Sequence, residues 1–134
     1  MSKVCETKMR IRYADTDQMG IVHHAKYLEY FEMGRTEYMR SLNMPYSEVE
    51  RRGVFLAIIE AYVRYHKSAR FDNTVVIRTE LEELGRLKVK FRYKVLYEDG
   101  TLLSEGYTVL APINREGKVV RLPDWLRKVF EEVI

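Results

Sequence analysis

The chain has 134 residues, a length that fits one domain, and its 46% hydrophobic content is enough for a core beneath a surface solvated by 32% charged residues. A net charge of +3 admits an anionic ligand but lacks the concentrated positive charge of a nucleic-acid binder. The single cysteine, Cys5, excludes an intrachain disulfide, no apolar run approaches the ~18 residues of a membrane span, and the N-terminus lacks the apolar stretch of a signal peptide, so a cytoplasmic location is expected.

Lys8-Met-Arg-Ile-Arg-Tyr13 alternates polar and apolar residues, the signature of a half-buried strand. A loop follows from Asp15 to His23. A helical pattern then runs from about His24 to Leu42, with Leu28, Phe31, Tyr38 and Leu42 on one stripe and Tyr27, Tyr30 and Gly34 widening it. Gly34 costs ~1 kcal/mol in a helix interior relative to alanine, which close packing against a sheet would explain. Asn43-Met-Pro45 ends the helix, and Pro45 to Arg52 has room for a short second one.

The remainder reads as strands. Val54 to Ile59 is too apolar to stand in water, and its segment continues through His66. Lys67 to Asn73 is a loop, Thr74 to Leu84 a strand, and Leu87 to Val95 alternates strictly after the Gly85 turn. Asp99-Gly100 signals a tight hairpin into Thr101 to Ala111. Pro123 opens a C-terminal helix ending near Val133. No alternation of strand and helix is present, so the expected class is α+β: one domain over residues 1–134, with an antiparallel sheet curved around one long helix.

The chemistry concentrates in Tyr13-Ala-Asp15-Thr-Asp17-Gln-Met-Gly20-Ile-Val-His23-His24. Asp15 and Asp17 could both be turn and capping residues. Asp17 stands out because Gly20 permits a tight turn and the chain then enters the helix. That helix start has no Ser, Thr, Asp or Asn to cap it, so its first N–H groups need another partner: a ligand carbonyl, water or Asp17 itself. A carboxylate beside free helix amides suits acyl transfer or hydrolysis, the amides holding an oxyanion. His23 and His24 are adjacent and are expected to diverge, only one of them facing Asp17. Metal binding is not expected, because the only other histidine is His66, read as strand-end surface. Arg86, Lys88, Lys90 and Arg92 read as one face of a strand, solvated or available to an anion; Lys67 and Arg70 are alternative contacts for a nucleotide phosphate. Arg35 is expected to pair with Glu32 or another carboxylate.

The run Tyr13-x-Asp15-x-Asp17-x-x-Gly20-x-Val22-x-His24-x-x-Tyr27-Leu28-x-x-Phe31-Glu32-x-x-Arg35, continued by Val63-x-Tyr65-x-x-Ser68-Ala69-Arg70-Phe71-Asp72, resembles the YbgC-type branch of the 4-hydroxybenzoyl-CoA thioesterase family. The resemblance implies a hot-dog fold, a homodimer joined edge to edge with dimers pairing into a tetramer, and hydrolysis of acyl-CoA thioesters. It implies no metal and no cofactor, CoA being part of the substrate. Asp17 matches the family's essential carboxylate, His24 the histidine before the helix, and Tyr13 the tyrosine four residues before the aspartate, placed to position Asp17. Lys67, Arg70, Arg86 and Lys88 are then the candidates for the charged groups of CoA. His23 departs from the pattern, where such members often carry tyrosine. A dehydratase or isomerase on the same fold, and a non-catalytic acyl-CoA or acyl-carrier binding protein, are the rival readings.

Overall fold

The computed structural model describes residues 2–134; Met1, within the single domain expected over 1–134, lies outside them. Strand β1 (Val4–Arg10) leads through a single helical turn at Tyr13–Asp15 into the long helix α1 (Lys26–Ser41). A short helix α2 (Tyr46–Arg51) precedes β2 (Phe55–Tyr65), β3 (Thr74–Leu84), β4 (Val89–Tyr97) and β5 (Leu102–Ile113), and α3 (Asp124–Glu131) follows. The five strands form one antiparallel sheet in the order β1-β3-β4-β5-β2. It wraps α1, which gives the hot-dog arrangement. The tight turn at Asp99-Gly100 joins β4 to β5, with Gly100 at φ 92°.

Helix α1 buries Tyr27, Tyr30, Phe31, Gly34, Tyr38 and Met39. Phe31 stacks flat on Tyr93 of β4, ring centroids 4.4 Å apart. Gly34 is where the helix meets the sheet: a Cβ there would lie 2.4 Å from Thr79 Oγ1 and 2.7 Å from Ile77 Cγ2. This contact sets which face turns inward. It is why Leu28, expected on the buried stripe, instead stands exposed while Tyr27 and Tyr30 flank the contact line. The helix also begins two residues later than its periodicity suggests, because His24 and Ala25 form a turn.

Strand β2 is an edge. It pairs with β5 on one side only, and its register slips between Ile58 and Glu60. Ile58, Ile59, Tyr62 and Tyr65 are exposed on it. Of the apolar segment from Val54 to Ile59, Val54 and Leu56 are buried, while Ile58 and Ile59 are uncovered in the single chain.

Candidate active site

The loop between β1 and α1 is held by backbone pairing rather than by its own length. Thr16 bridges Val22 and Ile21 bridges Arg70. Val22 N–H donates to the Ala69 carbonyl at 2.8 Å, and Phe71 N–H to the Gly20 carbonyl at 3.2 Å. Inside this frame Asp17 N–H donates to Ile21 O at 2.9 Å and Gly20 N–H to Asp17 O at 3.1 Å, a reversal that Gly20 completes at φ 77°. One carboxylate oxygen of Asp17, Oδ1, accepts the Met19 N–H at 2.8 Å. The side chain is exposed, and no hydrogen bond is recorded to Oδ2 among the described residues.

Asp17 borders a cavity of about 300 Å³ at the start of α1, lined among others by His23, His24, Tyr27, Tyr65, His66 and Lys67. No side chain caps α1. Ala25 N–H donates to His23 Nδ1 at 3.3 Å, Lys26 N–H to the His23 carbonyl at 2.9 Å, and the amide of His24 donates to nothing among the described residues. A second cavity, of about 190 Å³, lies further along α1 between Glu32, Arg35, Tyr46 and Ile58; its carboxylate, Glu32, stands within the helix and not beside the helix start.

The two aspartates have separated roles. Asp15 is fully buried. Its Oδ1 accepts Arg12 Nη2 at 2.9 Å, and its Oδ2 accepts the Arg12 backbone N–H at 3.3 Å and the Tyr30 hydroxyl at 3.2 Å. Burial alone would raise its pKa, but the bonds from Arg12 and Tyr30 outweigh burial and hold the carboxyl below the ordinary value. Burial, reinforced by this anion, pushes the Tyr30 phenol well up.

The structure gathers some of the expected residues and disperses others. Asp17, His24 and Lys67 border one cavity, and Arg70 is bridged to the same loop. Tyr13 is 77% exposed; its ring meets Phe71 edge-on at 5.5 Å, and no hydrogen bond joins it to Asp17 among the described residues. Arg86 and Lys88 lie in the β3–β4 turn, not on a strand face, because β4 begins only at Val89. Strand β3 starts at Thr74, paired with Arg10 beside the loop, and runs eleven residues to Leu84, so this turn sits at the far end of the strand from the site, about 35 Å away as measured along an extended chain. Lys90 and Arg92 are on the strand, facing Glu82 at 3.6 Å and 2.9 Å. Arg35 binds the Tyr93 hydroxyl at 3.0 Å and has no carboxylate partner among the described residues.

His23 and His24 do not diverge. Their rings stack with centroids 4.4 Å apart, and both border the Asp17 cavity, because they sit in a turn rather than on a helix or strand. His66 also lines the cavity, its Nε2 2.8 Å from Glu105 Oε2. The role of Tyr65 is invisible in the sequence: from the end of β2 its hydroxyl donates to the His24 carbonyl at 2.9 Å. Among the described residues no group of three His, Cys, Asp or Glu side chains could hold a metal, and no helix is long and apolar enough to cross a membrane.

A helix wrapped by a curved antiparallel sheet, with a carboxylate loop at its open start, defines a hot-dog protein equipped for acyl chemistry. The chain belongs to the thioesterase-like superfamily, whose family model matches residues 11–130. It is 29% identical to the acyl-CoA thioesterase YbgC of Haemophilus influenzae over 128 residues, 93% of each chain. Among solved structures, the DHNA-CoA thioesterase of Staphylococcus aureus superposes with a TM-score of 0.91 at 30% identity, covering 97% of this chain and 90% of that one. A hypothetical protein of Thermus thermophilus superposes at 0.93 with 36% identity over 98% of both chains.

Proposed function

We propose that this protein hydrolyses acyl-CoA thioesters at the cavity before α1. The observation that carries the reading is the Asp17 carboxylate and the unpartnered His24 amide bordering one cavity. The thioester carbonyl oxygen accepts from His24 N–H, where the helix dipole favours developing negative charge. Asp17 then acts by one of two routes. As general base it takes a proton from water as the water oxygen attacks the carbonyl carbon; as nucleophile its own oxygen attacks. In either case the C–S bond breaks and CoA leaves as thiolate. In the second route water opens the resulting anhydride and regenerates Asp17. Lys67 and Arg70 are the cations in reach of the phosphates of CoA. The reaction so drawn uses no metal or cofactor.

The exposed edge of β2 supports a homodimer in which two β2 strands pair, bringing each site against the partner subunit, and dimers pairing into a tetramer fit the same scheme. A hydrolysis screen over short, long and aromatic acyl-CoAs, read by release of free thiol, tests the function. Turnover of at least one class is expected, and binding without turnover would identify a carrier instead. Single-turnover hydrolysis in ¹⁸O water tests the nucleophilic route: water that opens the anhydride at the Asp17 carbonyl leaves its label in Asp17 and releases an unlabelled acid carrying an Asp17 oxygen, whereas the general-base route labels the product alone.

A further inference from the structure

We propose that Asp15 is a positioning residue: its buried carboxylate ties the Asp17 loop to the second turn of α1 and so sets where Asp17 stands relative to the His24 amide. The inference rests on the thioesterase reading for its kinetic arm only.

A fully buried carboxylate is costly unless several donors reach it. Here donors come from two directions. Arg12 approaches from the loop side through its guanidinium and its backbone N–H. Tyr30 approaches from α1, one turn after Lys26. The backbone carbonyl of Asp15 accepts His23 N–H at 2.9 Å, directly before His24. Asp15 therefore holds both ends of the reactive segment. Two residues on one side of the anchor stands Asp17; the amide bonded to it on the other side belongs to the neighbour of the oxyanion donor. Asp17 itself has no comparable attachment through its side chain, only the local bond to Met19. Without the anchor the Thr16–Val22 bridge remains, but the hold of α1 on the loop through Tyr30 is gone.

The test uses Tyr30→Phe, which removes one hydroxyl while keeping the ring, alongside Asp15→Asn. Amide hydrogen exchange is followed at Asp17 and His23, with Val95 in β4 as the internal standard, and kcat and KM are measured well below each variant's Tm. Both variants are expected to exchange about tenfold faster at Asp17 and His23 with Val95 unchanged, the pattern of local rather than global opening. Both should lose kcat, by about threefold to tenfold for Tyr30→Phe and more for Asp15→Asn, with KM within twofold. Merely structural loss would lower Tm and leave kcat per folded molecule intact, and that result overturns the proposal. So does wild-type exchange at both amides in Tyr30→Phe, which decides the matter even where Asp15→Asn does not fold. A wild-type protein inactive on every thioester would sink the thioesterase reading alone, because the exchange measurement needs no substrate.

Discussion

The Tyr65 hydroxyl, at the last residue of β2, donates to the carbonyl oxygen of His24 at 2.9 Å. This bond runs from the uncovered edge of the sheet to the residue whose amide is free. It restrains the peptide plane on the far side of His24 and links the edge strand to the helix start. Tyr65→Phe keeps the ring on Tyr27 (centroids 5.2 Å apart) and removes only the donor. We expect turnover to fall about threefold to tenfold with little change in Tm, as for loss of one neutral hydrogen bond. Steady-state kinetics at matched folded concentration check this.

Asp17→Asn keeps the shape of the side chain and its bond to Met19 while removing the base or nucleophile. Turnover is expected to fall about 100-fold or more. Asp15→Asn should cost less, because that carboxylate does not border the cavity. A folded Asp17→Asn protein with near wild-type rates would transfer the chemistry to another residue.

If the His24 backbone rather than its imidazole holds the oxyanion, alanine and proline at this position must behave differently. His24→Ala should lower turnover only in part. His24→Pro deletes the N–H and should cost ~3 kcal/mol of transition-state stabilisation, a hundredfold or more in rate. Circular dichroism establishes that both fold, proline being tolerated just before a helix. A proline variant faster than the alanine variant would assign the work to the ring.

Light scattering should find at least a dimer at assay concentration. Ile59, 60% exposed on the β2 edge, is the residue to disrupt it. Ile59→Lys places a charge on that edge and should shift the population toward monomer, with turnover falling alongside. A fully active monomer would contradict pairing through β2.

Acid should unfold the protein through Asp15. Its folded-state carboxyl lies below the model-compound value of 3.8, so the unfolded chain binds the proton first. The stabilisation is complete above that value and is lost as pH falls through the folded-state pKa. Thermal melts should therefore be nearly flat from about pH 7 to 5 and fall steeply below about pH 4. Asp15→Asn should flatten the acid limb while lowering the plateau.

The order of elements and the antiparallel sheet follow from local patterns: alternation in Val89 to Val95, the Asp99-Gly100 turn, the period of α1. Asp17 and His24 were legible because a motif and an uncapped helix start coincide in one short stretch. Four features were not. Periodicity puts Leu28 on the apolar stripe and Tyr27 on its margin, and only the depth of Gly34 against Thr79 turns Tyr27 inward and Leu28 out. The histidine stack depends on a turn whose dihedral angles no spacing rule gives. The hold of Tyr65 on His24, and the distance of Arg86 and Lys88 from Asp17, depend on which strand ends the sheet brings together, which is a property of topology and not of neighbours in sequence.

The contact at Gly34 also fixes how this scaffold can change. With its midpoint pressed on Ile77 and Thr79 and no room for even a methyl group, α1 cannot settle closer to the sheet, and any side chain larger than glycine at position 34 would push it away. Its second turn is tied to the loop as well, through Tyr30 to Asp15. The helix is a fixed rail. Adaptation to a new ligand is therefore expected in the side chains of the loop and of β2 that border the Asp17 cavity, one residue at a time, rather than in the seating of α1 on the sheet.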